Sequence, residues 1–413
     1  MNIELQRWMD RWAGIPLCAA VSGVEALRRR FWPTAANDKA PCAIVVILLS
    51  EMGSLVLAHD MFTRLKTRYP DAQLHALMFG KNREILDLMR VMPPQNVHTV
   101  NDKSLSSLLT SLWTAVRELR RAKVDVAIDC ELFSRISSLL SYASGAGVRV
   151  GFHRHTQEGL YRGSHLNRPV PYNPYHHISA QFLTLARAID STAVPKSKVL
   201  VLGAPKPPPQ VPLDGALIEG IKNRLAQDFP AIAGKPLVLV YPGGGILPIR
   251  AWPLASYTTL CQGLVADGCA VAVIGLKDDQ PLARQLVAQV QASAPASAVI
   301  DLTGYTRSIA ELLALFHVAR LLVTNDGGPG QFAALTPIWT LMLFGPETPG
   351  LYAPLTPRCH SFYSQWPCSP CLTAYNHRSS YCDGDNQCLK VIAPAEVLAK
   401  ARECLAAPVN PPA

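Results

Sequence analysis

The segment from Leu321 to Pro346 leaves this chain few ways to fold. Leu321-Leu-Val-Thr is a short, largely apolar run, as suits a buried strand, and it ends at Asn325-Asp326. Gly327, Gly328 and Pro329 then turn the chain into a helix carrying Phe332 and two alanines. Pro329 fits the first helical turn, where a missing N–H is no loss. A second strand, Ile338 to Phe344, follows at once and ends in another Gly-Pro turn. Glycine turns of this kind present bare backbone N–H groups beside a positive helix end, which favours an anion. A phosphorylated ligand is the natural occupant.

The same alternation runs through the rest of the sequence. Strands are expected at 43–49, 73–79, 97–100 and 124–129, with helices at 55–69, 82–91 and 105–121 between them. A proline-rich stretch from Ala204 to Pro212 forbids helix and central strand and reads as a stiff linker. Beyond it, strands at 236–241, 270–274 and 298–301 alternate with helices at 215–228, 254–267, 280–290 and 308–317. The fold class expected is α/β, with two doubly wound domains. The boundaries are an amphipathic segment 1–38, a first domain 39–203, a linker 204–213, a second domain 214–393, and a C-terminal helix and tail 394–413.

Charge and cysteine usage narrow the setting. A net charge of +9 favours an anionic partner. No basic stripe interleaved with aromatics is present, so nucleic acid is disfavoured against a nucleotide diphosphate or an anionic membrane surface. No apolar run reaches the roughly 20 residues of a spanning helix. Eleven scattered cysteines and no secretory signal point to the reducing cytoplasm. The first segment combines Trp8, Trp12, Ile15, Pro16, Leu17 and Val21 with Arg28-Arg29-Arg30 and Phe31-Trp32. It reads either as an interfacial helix at the cytoplasmic face of a membrane or as a helix packed on the body.

A second glycine turn, Pro242-Gly243-Gly244-Gly245, follows the 236–241 strand and precedes Arg250-Ala251-Trp252-Pro253. Its backbone can approach a phosphate closely, and Arg250 can neutralise a diphosphate. Taken with the 321–346 segment, this pattern resembles glycosyltransferase family 9, the bacterial heptosyltransferases. Asp326, Gly328, Pro329, Phe344, Gly345, Pro346, Thr348 and Pro349 match the family signature. Gly327 stands where a hydroxyl residue is usual, Gln331 where histidine is usual, and Arg250 where lysine is usual.

The resemblance covers roughly residues 43 to 405. It implies the GT-B architecture, two Rossmann-like domains facing a central cleft, and inverting transfer from a nucleotide diphosphate sugar to a hydroxyl of a lipopolysaccharide-like or other surface glycan. No cofactor is expected beyond that cosubstrate, since protein charges can serve the phosphates. A nucleotide-sugar epimerase and a non-catalytic binding protein of the same layout are the alternatives.

Donor residues implied are Gly243, Gly244, Arg250, Lys277, Asp278 or its neighbour Asp279, Thr303 beside Gly304, Asp326, Gly327 and Gly328. On the acceptor side, the family places a catalytic aspartate where this chain has Ser54. Serine is no base unaided, so Glu51 is preferred as the base, with Asp129, Glu131 and His153 as substitutes. Glu131, His153, Arg154 and Asn173, together with His155 and Arg162, form the expected acceptor region. Cys368, Cys371, Cys382 and Cys388 have a spacing that can hold a structural zinc, a disulfide or free thiols, the last being preferred.

Overall fold

Long apolar strands with helices between them bury on both faces only in a parallel sheet. The computed structural model describes residues 3–31, 40–49, 51–132, 134–154, 161–292, 298–376 and 378–407, so Trp32, Ser50 and His155 lie outside the described residues. Two compact units are present, Met1–Lys206 and Pro207–Ala413, and the division falls inside the proline-rich stretch.

The first unit runs α1 (Ile3–Trp12), α2 (Gly14–Phe31), β1 (Ala43–Ile47), α3 (Met52–Leu57), α4 (His59–Arg68), β2 (Gln73–Phe79), α5 (Arg83–Met89) and β3 (Val97–Val100). It continues through α6 (Leu105–Arg121), β4 (Val126–Asp129), α7 (Arg135–Ala143), β5 (Val148–Phe152), β6 (Arg168–Val170) and α8 (Ile178–Arg187). All neighbouring strands are parallel, in the order β3-β2-β1-β4-β5-β6. Side chains of β1 on one face join Ala115 and Leu119 of α6 and Leu140 of α7 in a single core cluster, so these two helices cover the same side of the sheet. The helix expected at 55–69 is divided at Ala58 into α3 and α4. Buried Asp60 in the first turn of α4 accepts from Lys206 N at 3.0 Å and pairs with Arg64.

The second unit runs α9 (Gly215–Asp228), β7 (Leu237–Tyr241), α10 (Leu254–Ala266), β8 (Ala270–Gly275), α11 (Gln280–Gln291), β9 (Val299–Thr303), α12 (Ile309–Val318) and β10 (Leu321–Asn325). It ends with α13 (Gly328–Ala333), β11 (Trp339–Phe344), α14 (Pro349–Tyr352), β12 (Cys359–Tyr363), α15 (Gln387–Lys390) and α16 (Pro394–Ala406). The order β12-β11-β10-β7-β8-β9 repeats the first sheet's topology. Helix α16 packs on α10, placing Val397, Ala401 and Cys404 in one core with Trp252 and Tyr257.

In each sheet the strand order reverses once, between β1 and β4 and between β7 and β10. Open parallel sheets bind ligands outside the carboxyl ends of strands at this reversal. One buried side chain organises the second reversal. Asn325, at the end of β10, donates from Nδ2 to the carbonyls of Pro242 (3.1 Å) and Gly243 (2.9 Å). Its Oδ1 accepts from Trp252 N at 2.9 Å and Tyr257 Oη at 3.0 Å.

Asn325→Ala leaves the Pro242 and Gly243 carbonyls and the Trp252 N–H without this partner in a buried setting, while Tyr257 keeps its bond to Tyr241 O at 3.1 Å. It should lower the unfolding free energy by roughly 3–5 kcal/mol in urea denaturation; a loss below about 1 kcal/mol would show that the loop holds its shape without this amide.

Candidate active site

The loop after β7 is tight for steric reasons. A Cβ on Gly244 would lie 2.6 Å from Leu247 O and 2.8 Å from Pro248 Cα, and Gly245 has a φ of +61°. The chain doubles back and delivers a short turn at Pro248–Arg250. Trp252 then anchors the return, buried edge-to-face against Tyr257 with ring centroids 5.0 Å apart. Arg250 is thereby fixed beside the end of β10.

Its guanidinium meets two carboxylates. Arg250 Nε lies 3.6 Å from Asp326 Oδ2, and Nη2 donates to Glu347 Oε1 at 2.5 Å. Arg378 Nε approaches the same Glu347 oxygen at 3.3 Å, with its guanidinium 5.4 Å from the Tyr352 ring centroid. Both acids are nearly buried, and desolvation dominates their titration. It pushes the Glu347 carboxyl up to about 7 against the pull of Arg250, with Asp326 adding to the rise. Burial shifts Asp326 upward too, again opposed by Arg250. Asp326 Oδ2 and Arg250 Nε are buried yet make no hydrogen bond within the protein. A guanidinium shared between carboxylates that ionise reluctantly can turn its fork toward phosphate oxygens.

The other donor-side residues are arranged around this cluster in different ways. Gly327 is extended (φ 174°), and a Cβ there would meet nothing closer than 3.9 Å, so the usual hydroxyl residue would fit. Helix α13 that follows has only six residues, so the local N–H groups rather than a long helix dipole would serve an anion. Gln331, in the usual histidine position, is buried, and its Nε2 donates to Tyr352 O at 2.7 Å.

Lys277 and Asp278 are exposed beyond β8. The acid turned toward the glycine loop is Asp279, whose Oδ2 accepts from Leu276 N at 2.8 Å and whose Oδ1 would lie 3.0 Å from a Cβ on Gly243. Of the two alternatives, Asp279 is the one directed at the glycine loop, because the short turn at Lys277–Asp279 points its last side chain back. The Thr303 hydroxyl donates to Asp301 at 2.6 Å, and Gly304 N donates to Gly275 O at 2.9 Å.

At the reversal of the first sheet, Glu51 precedes α3 and accepts from Ser54 Oγ at 2.9 Å. Glu131, beyond β4, accepts from Leu49 N at 2.6 Å, which draws it to the end of β1. Asp129 is fully buried, ion-paired with Arg162 and bonded by Ser137 Oγ at 3.0 Å. Burial raises its carboxyl to about 6 against Arg162. It is a structural acid, which removes it as a substitute base.

His153 is also committed. Its Nδ1 lies 2.8 Å from Arg154 O, its Nε2 is 3.4 Å from Arg162 N, and burial lowers its basicity. Arg154 is exposed and lies over the Tyr161 ring at 5.2 Å. Asn173 closes a local turn, its Oδ1 accepting from Tyr175 N at 2.9 Å. Of the expected acceptor residues, Glu51, Ser54 and Glu131 are thus brought to one sheet reversal, while His153 and Asn173 serve the backbone.

All eleven cysteines are free thiols. Among the described residues no three His, Cys, Asp or Glu side chains are placed to share a metal ion; burial and the neighbouring thiols of Cys371, Cys368 and Cys382 raise the Cys388 thiol above the usual range.

Three residues of the cluster escape a reading of the sequence. Asn325 is visible only as a polar end to an apolar strand. Glu347 sits inside the Gly-Pro-Glu-Thr-Pro turn, where a lone acid among turn residues was the available signal. Arg378 comes from a loop with no periodic pattern.

The comparisons with known proteins agree on one family. The family model of glycosyltransferase family 9 (heptosyltransferase) matches residues 112–381. Lipooligosaccharide heptosyltransferase 2 of Haemophilus ducreyi is 25% identical over 315 residues, covering 76% of this chain and 86% of that protein. The structure of the Escherichia coli ADP-heptose LPS heptosyltransferase II superposes with a TM-score of 0.66 at 21% identity, over 88% of this chain and 98% of that one. A glycosyltransferase family 9 structure from Veillonella parvula gives 0.66 at 16% identity, over 88% and 97%. These likenesses fix the fold as GT-B.

The carboxyl pair makes the importance of Arg250 depend on pH. A carboxyl whose folded pKa is raised carries no penalty below its unfolded value and the full penalty above its folded value. Arg250→Met raises both further, so the loss should grow with pH, from roughly 1 kcal/mol at about pH 5.5 to 3–5 kcal/mol at about pH 8. Thermal and urea unfolding at the two pH values checks this; an equal loss at both would contradict the assignment.

Proposed function

The chain belongs to glycosyltransferase family 9, and on that premise we propose that it moves a heptose-type sugar from an ADP-linked donor to a hydroxyl of a lipopolysaccharide-type acceptor, with inversion. The observation carrying this reading is the meeting of Arg250 with Asp326 and Glu347 beyond the carboxyl ends of β7 and β10. The names of the matched relatives supply heptose, ADP and lipopolysaccharide as the chemistry to test first. The epimerase alternative is not favoured, because the family and the relatives are transferases.

In the reaction proposed, the acceptor oxygen attacks the anomeric carbon as the carbon–oxygen bond to the diphosphate breaks. The acceptor proton passes to a base, and the bonding pair leaves with the phosphate. Arg250 turns from its carboxylates to the departing diphosphate, helped by backbone N–H groups at Gly243-Gly244 and Gly327-Gly328 and by Lys277. Charge stabilisation of this kind strengthens as the transition state forms. Asp326 holds Arg250 in line and contacts the donor. Glu51, with Ser54 hydrogen-bonded to it, is the base, and Glu131 with Arg154 flanks the acceptor.

Release of ADP from ADP-heptose in the presence of a heptose-containing glycolipid core measures turnover. Arg250→Ala and Asp326→Ala should each lower kcat/KM by about 100-fold or more, with Arg250→Lys recovering part of the loss. Glu51→Gln should lower kcat while leaving the ADP dissociation constant unchanged. Wild-type turnover in all three would overturn the assignment, and loss of ADP binding in Glu51→Gln would move that residue from base to donor site.

A further inference from the structure

Helix α2 is built inside out. Between Ile15 and Leu27 its polar side chains, Ser22 and Glu25, point into the protein, and most of its apolar ones point away. Ser22 and Glu25 are buried, along with Cys18 and Gly14. Ser22 Oγ donates to Cys18 O at 2.6 Å and lies 3.4 Å from His165 Nδ1, while Glu25 accepts from Arg149 at 2.7 Å. Asp10, at the end of α1, accepts from the backbone N–H groups of Arg135 (2.8 Å) and Ile136 (3.0 Å), which caps α7. The helix pair is therefore docked on the first unit through specific polar bonds.

The outer side has the opposite character. From Ile15 to Leu27 every exposed residue of α2 is Ile, Pro, Leu, Ala, Gly or Val. Leu17, Ala20, Val24, Leu27 and Phe31 recur every three or four residues and so lie in one stripe. Leu17, Val24, Leu27 and Phe31 are each more than half exposed, as are Trp8 and Trp12 on α1. The helix is about 27 Å long at 1.5 Å per residue. The exposed tryptophans lie on α1, ahead of the N-terminal end of the stripe, and its other end carries Arg28, Arg29 and Arg30. Glu25 is the acid that pairs with Arg28 and Arg29 as well as Arg149, which leaves this end strongly positive.

We propose that this face of α1 and α2 docks on a phospholipid bilayer bearing anionic headgroups, with α2 lying in the plane of the interface. An outer face with no hydrogen-bonding side chain over three turns suits a fluid apolar medium, which asks for no matched partner. Arginines at the rim meet anionic headgroups, and tryptophans favour the same depth. A second copy packed in parallel would bring an identical arginine cluster against the first, and an antiparallel pair is the outcome that the dimer measurement below separates.

Helix α6 lies with α7 on the same side of the sheet. It exposes a further row of Leu105, Leu109 and Trp113, with Arg117 over the Trp113 ring at 5.2 Å. Among the described residues no helix is long and apolar enough to cross a membrane, so the contact proposed is with its surface. The inference deepens the functional reading, since a glycolipid acceptor resides in a membrane. Vesicle binding is measured without donor or acceptor, so either idea can fail alone.

The test is co-sedimentation of the full chain with phosphatidylcholine vesicles, with and without phosphatidylglycerol. Binding should require phosphatidylglycerol and weaken as salt rises. The double variant Leu17→Glu/Leu27→Glu, whose changes are exposed and leave the melting temperature unaltered, should bind roughly tenfold more weakly or worse. Arg30→Gln should weaken binding less. Leu109→Glu/Trp113→Glu reports whether α6 shares the contact. Undiminished binding by the α2 double variant would overturn the proposal, as would a dimer that Leu27→Glu dissociates in a protein with no affinity for vesicles.

Discussion

The amide of Asn325 sits where the second sheet changes direction, and nearly everything proposed for the donor side depends on it. With two donors and an acceptor oxygen, it closes the glycine loop after β7 onto the end of β10 and fixes Trp252 and Tyr257. The loops that follow two paired strands part at a sheet reversal and leave a crevice, and without a bridge that crevice would have no defined shape. The bridge sets the distance between Arg250 and Asp326. It also explains why the loop carries Gly244, where any side chain would strike backbone.

On that frame the charges are balanced against one another. Arg250 is held by two carboxylates that burial makes reluctant to ionise, so its attachment to them is weaker than an ordinary exposed count of charges would suggest. Such an arrangement keeps the guanidinium folded into place yet available to a stronger anion. Burying a cation with only one fully ionised partner would tie it down, and burying it with none would expel it to solvent. Glu347 and Arg378 belong to this balance as much as Arg250 does.

Much of the fold could be read from the sequence because both sheets are built from uninterrupted apolar runs. The strands at 73–79 and 97–100 and the helices at 105–121 and 215–228 are found with the bounds expected. Ser104 and Asp214 cap those two helices through their side chains, which fixes where each begins. The edge strands β6 and β12 were not foreseen: one is Arg-Pro-Val and the other Cys-His-Ser-Phe-Tyr, partly exposed and without an apolar signature. Glycine turns and lone charges marked the positions of Arg250 and Asp326. Their shared partner Glu347 was hidden, since an ion pair between residues about a hundred apart leaves no local pattern. The inverted polarity of α2 likewise shows only when the body it rests on is known.

The central claim is that an ADP-type ligand occupies the carboxyl ends of β7 and β10. Hydrogen exchange of the backbone amides, followed by mass spectrometry with and without ADP, tests it directly. The account predicts slowed exchange in the peptides spanning 242–250 and 326–333. Protection confined to other segments, or no change at saturating ADP, would contradict it.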